Sequence, residues 1–519
     1  MPSATARVAT TRAARYLSHL CEHTSKLSRA TSLTHGHDHD HARPLPQQAE
    51  WSGADGIIDF GNGRCTLHAT SEALEIRAEA ADTQLLLRIQ DALTTRLERI
   101  GHRDDLTVTW APVPGPADDA AQVLGALLAP AGRADPFPVY DRARRLGPVA
   151  ALGDGSILVS GYAAVDQVLR NPGFVVARPT SADDALDSMS NSILRSDPPG
   201  HGRMRSLISQ VFTPRRITAL RPAIEHAADS LLGRLAEAGA DGRDADFMDL
   251  FAFPLPVTVI CELLGVPPAD RPRFRSLAAD LTGVLELSAG DQGPAEAAAR
   301  ELAGYFTSLV AERRTAPRDD LVSALAAAPG DRLSGSELVA NLTLLLVAGF
   351  ETTASLLGNG LAILLDQPDL AALLRSGQIP VAGFIEEVLR YDSPVQVTTR
   401  RAGTAGLTVA GAPVPAGSEV ILLIGAANRD PARYPDPDRF DPTRSDIRPL
   451  SFGAGPHICI GNSLARLEAD IAFTRLLPGF PALSPAPGQP PVRRDRLVLR
   501  GYQTLPVLTG ESRVSRAAR

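Results

Sequence analysis

Cysteine is scarce: Cys21, Cys65, Cys261 and Cys459 are the only four in 519 residues, with no CxxC spacing among them. That excludes a disulfide framework and fits a reducing cytoplasm. Lysine is nearly absent, since of 52 cationic residues only Lys26 is a lysine, which reflects a coding bias rather than a structural choice. Excess positive charge is missing too. Fifty-two cationic against 59 acidic residues leaves a net charge of -7, so nothing offers to neutralise a phosphate backbone and nucleic acid is not a partner. Long uninterrupted apolar runs are also lacking. The nearest, Leu338 to Leu365, carries only Glu351 as a charge but is broken by Asn341, Gly358, Asn359 and Gly360, so it reads as a buried core helix rather than a membrane span. The opening MPSATARVATTRAARYLSHLCEH has no apolar h-region or small-residue cleavage site and reads as part of the folded chain.

What is present is an ordinary globular composition, 44% apolar and 21% charged. Residues 1–110 read as a small α+β domain. Ala14, Leu17, Leu20 and Cys21 share a helical face, and 56–60 and 64–69 alternate around Gly61-Asn62-Gly63 as a hairpin. A strand at 73–78, a helix over 82–100 with Leu85, Ile89, Leu93 and Leu97 inward, and a strand at 106–110 follow. The His-rich stretch 34–50 is polar and aperiodic, a mobile loop that could hold a divalent metal loosely through His35, His37, His39 and His41. Residues 111–134, rich in Pro, Gly and Ala, read as a linker with one helical turn. From 135 to 519 helical periods dominate, with minor strands at 156–160, 407–409 and 419–424.

The sharpest chemical signal is Phe452-Gly453-Ala454-Gly455-Pro456-His457-Ile458-Cys459-Ile460-Gly461, opening into a helix over 463–477. Glycines before the cysteine allow backbone amides to turn towards sulfur, and a helix N-terminus favours thiolate. A low-pKa cysteine held this way is a nucleophile or a metal ligand, whereas Cys261, inside PLPVTVICELLGVP, reads as structural. The string resembles the haem-ligand loop of the cytochrome P-450 family, F-x-x-G-x-[HR]-x-C-x-G, at every fixed position. The resemblance extends from about Asp135 to the end of the chain.

Three further stretches carry it. Ala348-Gly349-Phe350-Glu351-Thr352-Thr353 lies midway along a helix of about 30 residues by the apolar pattern. Thr352 can bond the carbonyl of Ala348 and bend that helix, and in the family this kink forms the oxygen-binding groove. Glu387-Val388-Leu389-Arg390, with Arg439 in Pro437-Asp438-Arg439-Phe440, is similar to the family's structural Glu-Arg-Arg network. His201 and Arg205, one helical turn apart, match its pair for a haem propionate. By the same resemblance Arg400 and His457 complete the propionate set.

The resemblance implies the cytochrome P-450 fold, mainly α with minor β, and a bacterial soluble monooxygenase with haem b, its iron held by the Cys459 thiolate. Glu351 and Thr352 are then the catalytic pair relaying protons. His201, Arg205, Ala348, Arg400, Phe452, Gly453, His457, Cys459 and Gly461 bind the cofactor. It further implies oxygenation of a small organic substrate, a secondary metabolite, by O2 in a cytoplasmic monomer without membrane contact. No four-cysteine cluster, flavin motif or nicotinamide motif is visible, so the electron donors are a separate ferredoxin and its reductase. Substrate contacts are expected at 176–193, 286–297, Val347, Ala348, Thr352, 395–397 and 502–505. A haem sensor or ligand carrier and a peroxide-driven hydroxylase are the alternatives, and intact Glu351-Thr352 argues against both.

The N-terminal stretches ARVATTRAARYLSHLCEH, IDFGNGRCTLHA and LEIRAEAADTQ resemble the bacterial domain of unknown function 2218, which brings no activity with it. Cys21-Glu22-His23 and Cys65-Thr66-Leu67-His68 mimic the ligand pairs of a Rieske cluster. Their helix and strand setting, instead of facing Gly- and Pro-rich loops, argues against one.

Overall fold

The computed structural model describes residues 3–31, 48–80, 83–102, 104, 106–112, 119–176, 191–287, 293–328 and 332–514, in two compact units, 1–118 and 119–519. The expected metal-binding histidines of the 34–50 loop fall outside the described residues.

In the first unit strands β1 (Ser3–Ala9), β2 (Gln48–Ser52), β3 (Asp55–Asp59), β4 (Gly63–Ala69), β5 (Ala73–Ala80) and β6 (Trp110–Pro112) form one antiparallel sheet in the order β2-β3-β4-β5-β1-β6. Helices α1 (Ala13–Thr31) and α2 (Thr83–Ile100) supply the other half of the core. Ala13, Tyr16, Leu17, Leu20, Cys21 and Thr24 face inward at three- and four-residue steps, so Ala13 takes the position expected of Ala14, which is exposed. On α2 the buried set is Leu86, Ile89, Leu93 and Leu97. Sequence reading misses β1 and β2. It also places a strand at 106–110 where only Trp110 onward pairs, against β1.

The second unit begins earlier than the composition suggests. Of the stretch expected as linker, residues 119–134 are two helices, α3 (Ala120–Leu128), capped by Asp119, and α4 (Pro130–Ala134). Val123 and Leu127 are fully buried against Tyr140, Leu423 and Leu499. Small residues made the segment look linker-like, but they are what lets helices pack closely.

Helix α5 (Gly200–Ser209), helix α6 (Phe274–Thr282), the 32-residue α7 (Gly335–Asp366), α8 (Val381–Tyr391) and α9 (Asn462–Gly479) position the site. The Ser334 hydroxyl and the Glu337 carboxylate cap the start of α7 reciprocally. Its first half, Leu338 to Phe350, packs in one core with Phe274, Leu302 and Phe306; its second half, Ala354 to Leu364, packs in another with Phe251, Phe384 and Phe473. Residues 351–353 therefore fall at the seam between two cores, where a cavity can open. Most of α7 is buried, which explains an apolar length sufficient to cross a membrane. A five-stranded sheet, Val149–Ala151, Ile157–Val159, Glu419–Leu423, Val397–Ala402 and Phe174–Val175 in that order, delivers Arg400 to the same cavity.

Candidate functional site

The loop before Cys459 is built from two single turns, Leu450–Phe452 and Gly455–His457. Gly453 and Gly455 have φ of 69° and 65°, and a side chain on Gly455 would meet the Leu169 carbonyl at 2.5 Å. The Cys459 amide donates to the Phe452 carbonyl at 2.9 Å, closing the loop, and Asn462 Nδ2 donates to the Cys459 carbonyl at 2.6 Å. Cys459 is exposed to the cavity while packed protein surrounds it on its other sides. Burial raises the thiol above its ordinary value, although the Gly461 amide and the Arg205 and Arg466 guanidiniums pull it down. The thiolate-favouring surroundings expected from the loop are thus present but outweighed by desolvation in the protein alone. Cys261 is buried, its thiol pushed up to about 12.

At one rim of the cavity the His201 and His457 rings stand 4.0 Å apart, with Arg205 and Arg400 beside them. Burial, then the neighbouring cations, drives His457 down to about 3 and also lowers His201. Burial lowers Arg400. Among the groups acting on His201 and Arg400, Asp197 alone favours their charged forms. Such a crowd of cation-forming groups suits a ligand with two carboxylates. With Cys459 in the same cavity of about 420 Å³, this donor set fits haem b.

On α7 the Thr352 hydroxyl donates to the Ala348 carbonyl at 3.1 Å, as its position suggests. Glu351 is 2% exposed and ion-paired through Oε1 to Arg494; Arg496 Nη1 lies 3.6 Å from Oε2, an oxygen with no hydrogen-bond partner among the described residues. All the residues singled out in the sequence, Glu351, Thr352, His201, Arg205, Ala348, Arg400, Phe452, Gly453, His457, Cys459 and Gly461, line this one cavity. Its remaining wall is largely apolar, including Ile193, Leu285, Leu345, Val397 and Leu499.

Two expectations need correction. The partner of Glu387 besides Arg390 is Arg444, whose Nε lies 3.3 Å from Oε1, while the Arg439 side chain is 70% exposed and contributes only its carbonyl. None of the 502–505 stretch expected at the cavity lines it; Val498 and Leu499 do, while Tyr502 lines a separate pocket. Residues 177–190 and 288–292, expected to touch substrate, lie outside the described residues. Sequence reading also missed Arg494, Arg496 and Glu468, a carboxyl 1% exposed on the cavity wall and raised well above its ordinary value by burial. Only the run of alternating arginines after Pro491 hinted at the first two.

In the first unit Cys21 and Cys65 lie in the core, where burial raises both thiols, whereas His23 and His68 are exposed, the latter 2.7 Å from Asp55. Alternation along β4 turns Cys65 inward and His68 outward, so the four residues do not converge as a Rieske cluster requires.

A helical body with a cysteine loop, a rim of histidine and arginine side chains and an acid-alcohol pair on a long helix, all around one cavity, defines a haem-thiolate oxygenase. The Cytochrome P450 family model matches residues 381–505, and the model described as Uncharacterized protein conserved in bacteria (DUF2218) matches residues 5–111. Cytochrome P450 monooxygenase PikC of Streptomyces venezuelae is 40% identical over 386 residues, 72% of this chain and 91% of that protein. The 6-deoxyerythronolide B hydroxylase of Saccharopolyspora erythraea is 40% identical over 69% of this chain and 92% of its own length. The ligand-free crystal structure of Mycobacterium smegmatis CYP164A2 aligns with a TM-score of 0.69 and 40% identity, covering 75% of this chain and all of that one. The chain belongs to the cytochrome P450 family and is a monooxygenase whose cofactor is haem b with a cysteine thiolate ligand.

Proposed function

We propose that this chain hydroxylates an unactivated C–H bond of a predominantly apolar secondary metabolite, with electrons from a separate ferredoxin and its reductase. The observation that carries the reading is the Glu351-Thr352 pair on the wall of a cavity that also holds Cys459 and whose remaining wall is largely apolar. Names of relatives, 6-deoxyerythronolide B hydroxylase and Polyketide biosynthesis cytochrome P450 PksS, support the substrate class. Four free thiols agree with a cytoplasmic setting.

In this proposal Cys459 is the iron ligand. His201, Arg205, Arg400 and His457 bind the haem carboxylates, which relieves the repulsion among them. Phe452, Gly453 and Gly461 shape the loop, with Arg466 stacked on Phe452 at 4.5 Å. Ala348 gives the carbonyl that holds Thr352. When bound, haem supplies the site for O2 and for two electrons, and the balance is one O2, two electrons and two protons per hydroxyl inserted and water released. The protein's part is proton supply and exclusion of bulk water. With its hydrogen donated to Ala348, Thr352 Oγ presents lone pairs to the cavity and holds a water, while Glu351 passes protons towards it.

The test is incubation of the holoprotein with a ferredoxin, its reductase, NAD(P)H and ¹⁸O₂, after a screen of polyketide and macrolide metabolites for a haem spin-state change. One labelled oxygen in the product supports the proposal. Spin-shifting ligands that all pass through unoxidised, with electrons demonstrably delivered, would overturn it in favour of a sensor or carrier.

A further inference from the structure

Arg496 bonds one wall of the site and stands beside Glu351 on another. Its Nη2 donates to the Ala279 carbonyl at 2.7 Å and its Nη1 to Thr282 Oγ1 at 2.5 Å, both near the C-terminus of α6. The same Nη1 stands 3.6 Å from Glu351 Oε2 on α7, beyond hydrogen-bond reach. Thr282, Leu285 and Leu287 wall the cavity. A second tie reinforces the first: the Glu286 carboxylate accepts from the amides of Leu497 at 2.9 Å and Val498 at 3.1 Å. The segment 494–498 is therefore bound at one end to the cavity wall and at the other to Glu351, which Arg494 holds through Oε1.

One guanidinium nitrogen thus faces two acceptors and bonds one of them. While α6 is seated on the cavity, the bond to Thr282 holds Nη1 3.6 Å from Glu351 Oε2, which has no hydrogen-bond partner among the described residues. Were α6 to withdraw, Nη1 would turn to the buried carboxylate, where a charge-assisted bond is the stronger alternative. We propose that Arg496 is a positioning residue that makes the bonding of Glu351 depend on the seating of α6, so that the proton-passing carboxylate is free only when the substrate wall is in place. A filled cavity favours the seated wall, and proton supply thereby becomes conditional on substrate. The inference rests on the proton role proposed above for Glu351.

The experiment is a double-mutant cycle on the full-length holoprotein, read as the dissociation constant of 4-phenylimidazole, an apolar azole ligand of haem iron. Thr282→Val and Glu351→Gln are made singly and together, first with Arg496 and then with Arg496→Gln. With Arg496 present, the combined effect is expected to depart from the product of the single effects by about fivefold, the lower end of typical site-to-site coupling. With Arg496→Gln the effects are expected to multiply, within about twofold. An equal departure in both backgrounds, or none with Arg496 present, overturns the proposal. Arg496→Lys, which keeps the charge but has one nitrogen, is expected to show a reduced departure and covers the case in which the glutamine variant folds poorly. Product formed per NAD(P)H separates the two readings. If Glu351→Gln leaves that ratio unchanged, the proton role itself fails; if the ratio falls but no Arg496-dependent coupling exists, the linkage alone fails.

Discussion

Glu387 and Arg390 are both 0% exposed, and the carboxylate collects Arg390 Nε and Nη2 at 2.7 Å each, the Asp441 amide at 2.8 Å and Arg444 Nε at 3.3 Å. Arg390 also donates to the carbonyls of Asn428, Pro437 and Arg439, which fixes the segment leading to the cysteine loop. Replacing Glu387 by Gln keeps the shape but leaves a buried guanidinium uncompensated, at a cost of about 3–5 kcal/mol. Arg444 is 12% exposed and besides Glu387 bonds the carbonyls of Pro435, Asp436 and Arg439, so Arg444→Ala is expected to cost about 2–3 kcal/mol. The Arg439 side chain, 70% exposed, has among the described residues only a 3.6 Å contact to Asp441, and Arg439→Ala should stay within about 0.5 kcal/mol. At no more than about 2 °C per kcal/mol for so large a unit, the expected falls in apparent melting temperature are roughly 6–10, 4–6 and at most 1 °C. Thermal scans following haem absorbance measure them. An Arg439→Ala protein as unstable as Arg444→Ala would refute the assignment of the third network position.

Thr352→Ala should leave haem and ligand binding nearly intact but divert electrons to hydrogen peroxide; an unchanged ratio of product to NAD(P)H would remove Thr352 from proton transfer. A chain starting at Asp119 should bind haem and give the CO spectrum of the full chain. One starting at Asp135 should be unstable, because it loses Val123, Leu127, the Arg133–Asp495 pair at 2.6 Å and the Arg133 and Ala134 carbonyls bonded by Arg500; equal stability of the two would contradict the packing of α3 and α4. The Arg203 guanidinium, bonded to Glu337, holds that carboxyl down at about 2. Its folded value lies below the unfolded one, so its stabilisation is complete above about pH 4.3 and is lost as pH falls through about 2. Glu337→Gln should therefore cost about 1–2 kcal/mol at pH 7, discounted for partial exposure, and approach zero difference near pH 2; a difference independent of pH would show that capping geometry, rather than charge, is at work.

How far the sequence could be read depended on whether a feature is local. The cysteine loop is local, because glycine positions and a following helix dictate its turns, and so is the Thr352 bond to Ala348, one helical turn away. His201 with Arg205 and the inward face of α1 follow helical spacing, though that spacing pointed to Ala14 where Ala13 is the buried residue. Arg444 was not legible: four residues of irregular chain separate it from Arg439, and only the path of that loop decides which turns back to Glu387. Arg494 and Arg496 reach Glu351 from more than 140 positions away, a pairing without any local signature. Strand β1 escaped notice because SATARVA alternates only weakly, two of its three inward positions being small alanines, and it becomes a strand through β5 and β6 on either side. The helices α3 and α4 were hidden by a composition shared between linkers and close-packed helices.

The central claim, haem held by Cys459, is tested most directly by the spectrum of the dithionite-reduced, CO-bound protein and its cysteine variants. The parent and Cys261→Ser should show the strongly red-shifted Soret band of thiolate-ligated haem, with one iron per chain, and Cys459→Ser should lose that band. A red-shifted band that survives Cys459→Ser would contradict the account.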